Sequence, residues 1–234
     1  MTTVAVLDAC VLFPMPLCDT LLRIAEAELY IPKFSQEILN ETIRNLVKKN
    51  KMTEEKAVRY QEHIKRAFPD AMIEKYEKLV PLMTNDIKDR HVLAAAVKAK
   101  ADVIVTFNLK DFPLDSVEPF DIVVKHPDDF LLDTLSEYGV TVLTEILQQQ
   151  AAALKKPPMS LRELLQRLSR QTPNFYRAIF NLTYSDYVVG IAEEAISVLG
   201  QQTTDGFGTY CGKKYILEHT NHNLVIKHKI RGVI

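Results

Sequence analysis

An alanine-rich run that feeds a short, wholly apolar one limits what this chain can become. Residues 84–112 read TNDIKDRHVLAAAVKAKADVIVTFNLKDF. The segment VLAAAVKAKA has helical composition, with one face small enough to lie close against a sheet, and its start is expected near Asp89. After a turn at 100–102, VIVTF is a continuous apolar stretch of strand length, the pattern of a strand covered on both faces. Asn108 and Asp111 follow directly. In open α/β sheets the ligand crevice lies beyond the carboxyl ends of the strands, so these polar groups are the first candidates for chemistry.

The rest of the chain repeats the alternation. TVAVL (3–7) is a β-branched strand that runs into Asp8, and a helical pattern through Leu21, Leu22, Ile24 and Ala25 brings the chain back over the sheet. A brief strand is expected at Tyr30–Pro32. Ser35 is the expected N-cap of a helix over Gln36–Lys48, which carries Glu37 and Glu41 one turn apart on a shared face. Further helix is expected over 52–68 and 71–76, a short strand over 79–83, and an edge strand over 121–124. Strand and helix in alternation predict a parallel α/β sandwich of residues 1–125. Residues 126–184 read as a helical extension with segments at 126–135, 140–155, 161–170 and 174–182. Residues 185–234 form a small tail of open role: a helix near 188–199, then a hairpin pattern in KKYILEH and LVIKHKI.

Composition removes several classes of function. No apolar run approaches the roughly 18 residues that span a membrane, and MTTVAVLDA has no basic leader, so a cytoplasmic protein is expected. Cys10, Cys18 and Cys211 do not suggest a disulfide framework, and buried thiols are the simpler reading. Residues 1–138 contain no glycine, which rules out both a P-loop and a dinucleotide fingerprint in the main domain. Phosphate there must be met by side chains or by a metal. Two stretches are basic: 44–66, with eight Lys or Arg against three Glu, and 213–234, with five against one. That layout suits a polyanion reached at defined places, although a solvated helix face explains 44–66 equally well.

Asp8, Glu41, Asp89 and Asp111 are the candidate constellation: three stand at strand ends or a helix start on one sheet edge, and the fourth lies on an adjoining helix. Clustered carboxylates repel one another, and the usual reason for assembling them is a hard divalent cation. Asp86 lies one turn from Asp89, and Glu37 competes with Glu41. His91, inside a helix, reads as a packing or substrate-contact residue.

VAVLDACVLFP, SQEILNETIRNL and DIKDRHVLAAAVKAKADVIVTFNLKDFP, in that order, resemble a PIN-domain ribonuclease close to the VapC-like toxins of bacterial toxin–antitoxin pairs. The resemblance covers residues 1–125. HPDDFLLDTL and KPPMSLRELLQRL resemble the helical extension of a PIN subgroup. What it implies is a three-layer, parallel-sheet α/β sandwich with a magnesium-binding acidic pocket, or manganese in its place, that hydrolyses RNA. Asp8, Asp89 and Asp111 would be metal ligands, Glu41 the helix acid, and Thr106 and Asn108 supporting residues. The implied partners are an RNA substrate, a cognate antitoxin protein and a second copy of the chain. The alternative is a catalytically quiet PIN scaffold that binds RNA or protein.

Overall fold

The computed structural model describes residues 2–155 and 157–183, and the backbone of three strands between 206 and 228. Five parallel strands, β1 (Val4–Leu7), β2 (Ile31–Ser35), β3 (Met72–Ile73), β4 (Val103–Val105) and β5 (Val123–Lys125), form one sheet in the order β3-β2-β1-β4-β5. Ala5, Val6 and Leu7 of β1 and Val103, Ile104 and Val105 of β4 are all buried. Successive strand residues point to opposite faces, so burial of every one means that both faces are covered. The expected α/β sandwich is what forms.

Helix α1 (Ala9–Leu12) follows β1, and α2 (Met15–Glu26) follows α1. Pro16 is tolerated because it lies in the first turn of α2, where the missing N–H would have no partner. Ser35 caps α3 (Gln36–Lys48) by accepting the Ile38 N–H at 3.2 Å, and Thr53 caps α4 (Glu54–Ala67). Helix α5 (Arg90–Ala99) buries Leu93, Ala94, Ala95 and Ala96 completely and touches β1, β2 and β4. It ends where Lys100 turns left-handed at φ 50°. Helix α6 (Leu114–Val117) then leads towards β5.

Two short segments differ from the sequence expectation. Residues 71–76, expected as helix, contain β3, because Met72 and Ile73 find backbone partners beside Phe34 and Ser35 of β2. Of residues 79–83, expected as a strand, 79–82 belong to a 3₁₀ turn at Glu77–Leu82 and Met83 follows it, and Pro81 removes a donor that a ladder would need.

Residues Met1–Phe180 make one compact unit. Within it the extension consists of α7 (Pro127–Tyr138), α8 (Val140–Ala153), α9 (Leu161–Leu168) and the part of helix α10 (173–183) that precedes residue 181. Gly139 joins α7 to α8 at φ +85°, a value that favours glycine. Polar side chains fix the extension. Buried Gln150 accepts from Thr20 Oγ1 at 2.8 Å and donates to the Pro16 carbonyl at 3.0 Å, tying α8 to α2. Asp128, 3% exposed, accepts the Asn174 and Phe175 N–H groups at 3.0 and 2.8 Å and so caps α10. Ser160 and Glu163 form a reciprocal capping box on α9.

The second unit, Asn181–Ile234, contains an antiparallel sheet of β6 (Gly206–Tyr210), β7 (Lys213–Thr220) and β8 (Asn223–His228). The β7–β8 pair, in register from Tyr215↔His228 to Thr220↔Asn223, matches the expected hairpin, and β6 adds a strand to it. The helix expected near 188–199 lies outside the described residues. No helix among the described residues is long and apolar enough to cross a membrane.

Candidate active site

Register places the first two groups. Leu7 pairs with Val105, so Asp8 and Thr106 leave the carboxyl ends of β1 and β4 side by side, and the Asp8 N–H extends the ladder to the Val105 carbonyl at 3.1 Å. Thr106 Oγ1 then donates to Asp8 Oδ2 at 2.6 Å. The Asn108 N–H donates to Thr106 Oγ1 at 3.0 Å, which fixes the hydroxyl's direction. Asp8 is 2% exposed. Burial, above all, pushes its carboxyl above the usual carboxylate range, and the charge of Glu41 adds to this; the hydrogen bonds from Thr106 and Cys10 pull the other way.

Asp89 ends the loop before α5, and Asp111 ends the 3₁₀ turn Leu109–Asp111 after β4. The two loops are joined by the Asp86 N–H, which donates to the Asp111 carbonyl at 3.0 Å. Asp89 senses the whole constellation. Its pKa is pushed up to about 6, first by burial and then by the charges of Asp8, Asp111, Glu41 and Asp86. Asp86 stands exposed, and one of its oxygens serves its own loop by accepting the Lys88 N–H at 3.0 Å.

Glu41 reaches the same region from the middle of α3. Its partner is His91 of α5, 7% exposed, whose Nε2 lies 3.6 Å from Glu41 Oε2 while Nδ1 lies 3.9 Å from Glu37 Oε2. The imidazole beside it is the main reason that Glu41 sits below its ordinary pKa. Burial works to lower the His91 pKa, but Glu41, Glu37 and Asp8 outweigh it and the ring is held above its usual value. Sequence spacing gave His91 no partner, because α3 and α5 are brought together only by the fold. Cys10, read as a buried thiol, is half-buried at the site's edge and donates to Asp8 Oδ2 at 3.1 Å.

The donor set suits a hard divalent cation. Asp8, Asp89 and Asp111 offer carboxylate oxygens, and the raised pKa of Asp89 reflects burial together with the negative charge of the acids around it. Among the described residues no three such side chains close a cage by themselves. Magnesium does not require one, since it keeps several waters and binds through one or two carboxylates together with substrate phosphates.

The sequence agrees with this geometry. A family model described as PIN domain matches residues 3–110, and one described as VapC50 C-terminal domain matches residues 127–179. Two family models therefore match the chain in succession, the first over its N-terminal α/β part and the second over the helical extension. A Mycobacterium tuberculosis protein named "Putative ribonuclease VapC50" is 48% identical over 100 residues, which are 43% of this chain and 59% of that protein. The chain thus matches over about three fifths of the length of this curated relative. No solved structure matches the chain. The PIN domain holds all of Asp8, Glu41, Asp89 and Thr106, while Asp111 lies one residue beyond the matched span. The VapC50 C-terminal domain corresponds to the α7–α10 extension that Asp128 and Gln150 fasten in place.

Proposed function

We propose that this protein is a divalent-cation-dependent endoribonuclease and the toxin of a toxin–antitoxin pair. The observation that carries the reading is the set of carboxylates from four separate elements that act together on Asp89, at the carboxyl edge of a parallel sheet. Asp8, Asp89 and Asp111 would hold magnesium, or manganese in its place. The bound cation supplies Lewis-acid activation of water and neutralises charge on the scissile phosphate. Thr106 fixes the rotamer of Asp8, and Asn108 fixes Thr106 through its backbone N–H. His91 holds Glu41 at the rim, where its carboxylate can orient the attacking water and accept its proton. Because the ribose 2′-hydroxyl takes no part, the products should carry a 5′-phosphate and a 3′-hydroxyl. The name of the relative supports RNA as substrate, and the VapC resemblance supports an antitoxin protein as partner.

The test is incubation of the purified protein with total RNA, with and without magnesium, beside Asp8→Asn, which removes a ligand charge at nearly constant volume. Wild type should cut only with the cation, and the variant should fold and not cut. Cleavage that persists in excess EDTA, a 2′,3′-cyclic phosphate product, or full activity in folded Asp8→Asn would overturn the mechanism. A wild-type protein that binds RNA without cutting it under any divalent cation would establish the quiet-scaffold reading instead.

A further inference from the structure

Two hydrogen-bond donors converge on one oxygen of Asp8. Thr106 Oγ1 lies 2.6 Å and Cys10 Sγ 3.1 Å from Oδ2. The directions of both protons follow from the loop after β4. The Phe107 N–H donates to Cys10 Sγ at 3.2 Å, and the Asn108 N–H donates to Thr106 Oγ1 at 3.0 Å. Each heteroatom takes one backbone proton and gives its own to the carboxylate. The 3.3 Å approach of Sγ to Oγ1 is then the contact of two neighbours that share an acceptor.

We propose that Cys10 is a positioning residue of this site: together with Thr106 it occupies Oδ2 of Asp8 and leaves Oδ1 as the oxygen that faces the cation. The inference rests on the cation-binding reading of the acidic pocket. A carboxylate with one oxygen doubly hydrogen-bonded cannot turn that oxygen to a metal without taking the acceptor from both the Thr106 hydroxyl and the Cys10 thiol, so Asp8 is fixed as a one-oxygen ligand. Cys18 supplies the contrast. Its thiol is buried, but its polar neighbour is the Tyr60 hydroxyl at 2.8 Å and not a carboxylate of the site. Loss of Cys18 removes packing without touching Asp8.

The experiment is a manganese titration of the full-length protein followed by the EPR signal of the free ion, which reads affinity without any turnover. Wild type is compared with Cys10→Ala, Cys10→Ser, Cys10→Val and Cys18→Ala. Cys10→Ala should weaken manganese binding by about tenfold or more, the usual effect of losing a group that orients a metal ligand. Cys10→Ser should recover most of the loss, and Cys18→Ala should bind as wild type does. Folded Cys10→Ala with wild-type affinity would overturn the role. Should the alanine variant not fold, the serine variant must bind several-fold tighter than the valine one, and equal affinities would overturn it. Wild-type protein that binds no manganese would refute the cation site and this inference with it, an outcome distinct from equal binding by wild type and Cys10→Ala.

Discussion

Replacing Asp89 by Asn should stabilise the metal-free protein and destroy its response to magnesium. The folded pKa of Asp89 rises from 3.8 to about 6 through burial and the neighbouring carboxylates. Each unit corresponds to about 1.4 kcal/mol, so ionising this group in the folded state costs about 3 kcal/mol at the most. Asp89 is half-exposed, and screening by water reduces the figure to about 1 kcal/mol. A carboxyl with a raised folded pKa binds its proton more tightly in the native state. Its cost is therefore absent below about pH 4, develops between pH 4 and 6, and is fully present above pH 6. The substitution forfeits no capping bond, since the Asp89 side chain makes none at the start of α5. In EDTA at pH 7.5, Asp89→Asn should melt about 2–4 °C above wild type by differential scanning calorimetry, the shift expected from about 1 kcal/mol in a unit of this size. The gap should close at pH 4. Magnesium should raise the wild-type melting temperature and leave the variant nearly unmoved. A variant no more stable than wild type at pH 7.5, or one with an equal advantage at pH 4, would refute the account of the pocket as a repulsive cluster awaiting a cation.

Two further substitutions test neighbouring claims. His91→Ala should lower kcat about tenfold with little change in KM, because Glu41 loses the group that holds it, and the acid limb of the pH–rate profile should move up as Glu41 returns to its ordinary range; an unmoved limb would deny the contact. Asp128→Ala should destabilise Met1–Phe180 by about 2–3 kcal/mol, since two backbone N–H groups lose a charged acceptor, and limited proteolysis near residue 173 should accelerate; unchanged melting would show that α10 needs no cap from α7.

The parts of this fold that local chemistry determines were legible in the sequence. Ser35, Thr53 and Ser160 cap the helices they precede, and the apolar runs at 4–7 and 103–105 are the buried strands. What could not be read depends on distant partners. Met72–Ile73 is a strand only because β2 lies beside it, and two residues carry no periodicity that would separate a strand from the end of a helix. Thr106, Cys10 and Asp8 meet because Leu7 is in register with Val105, a pairing across almost a hundred positions.

The same limit applies to the choice among acids. Glu37 and Glu41 share a face of α3, so helical spacing treats them alike, and the fold sets His91 against both. What separates them is exposure and company: Glu41 is the more buried, and it is the one whose charge reaches Asp8 and Asp89. Asp86 and Asp89 divide in a similar way, since Asp86 faces solvent and completes its own turn while Asp89 is held among four other carboxylates. A chain selected for stability alone would not gather that charge at the end of a buried sheet. That repulsion is the cost the proposed cation site would carry, and a bound divalent ion would offset it.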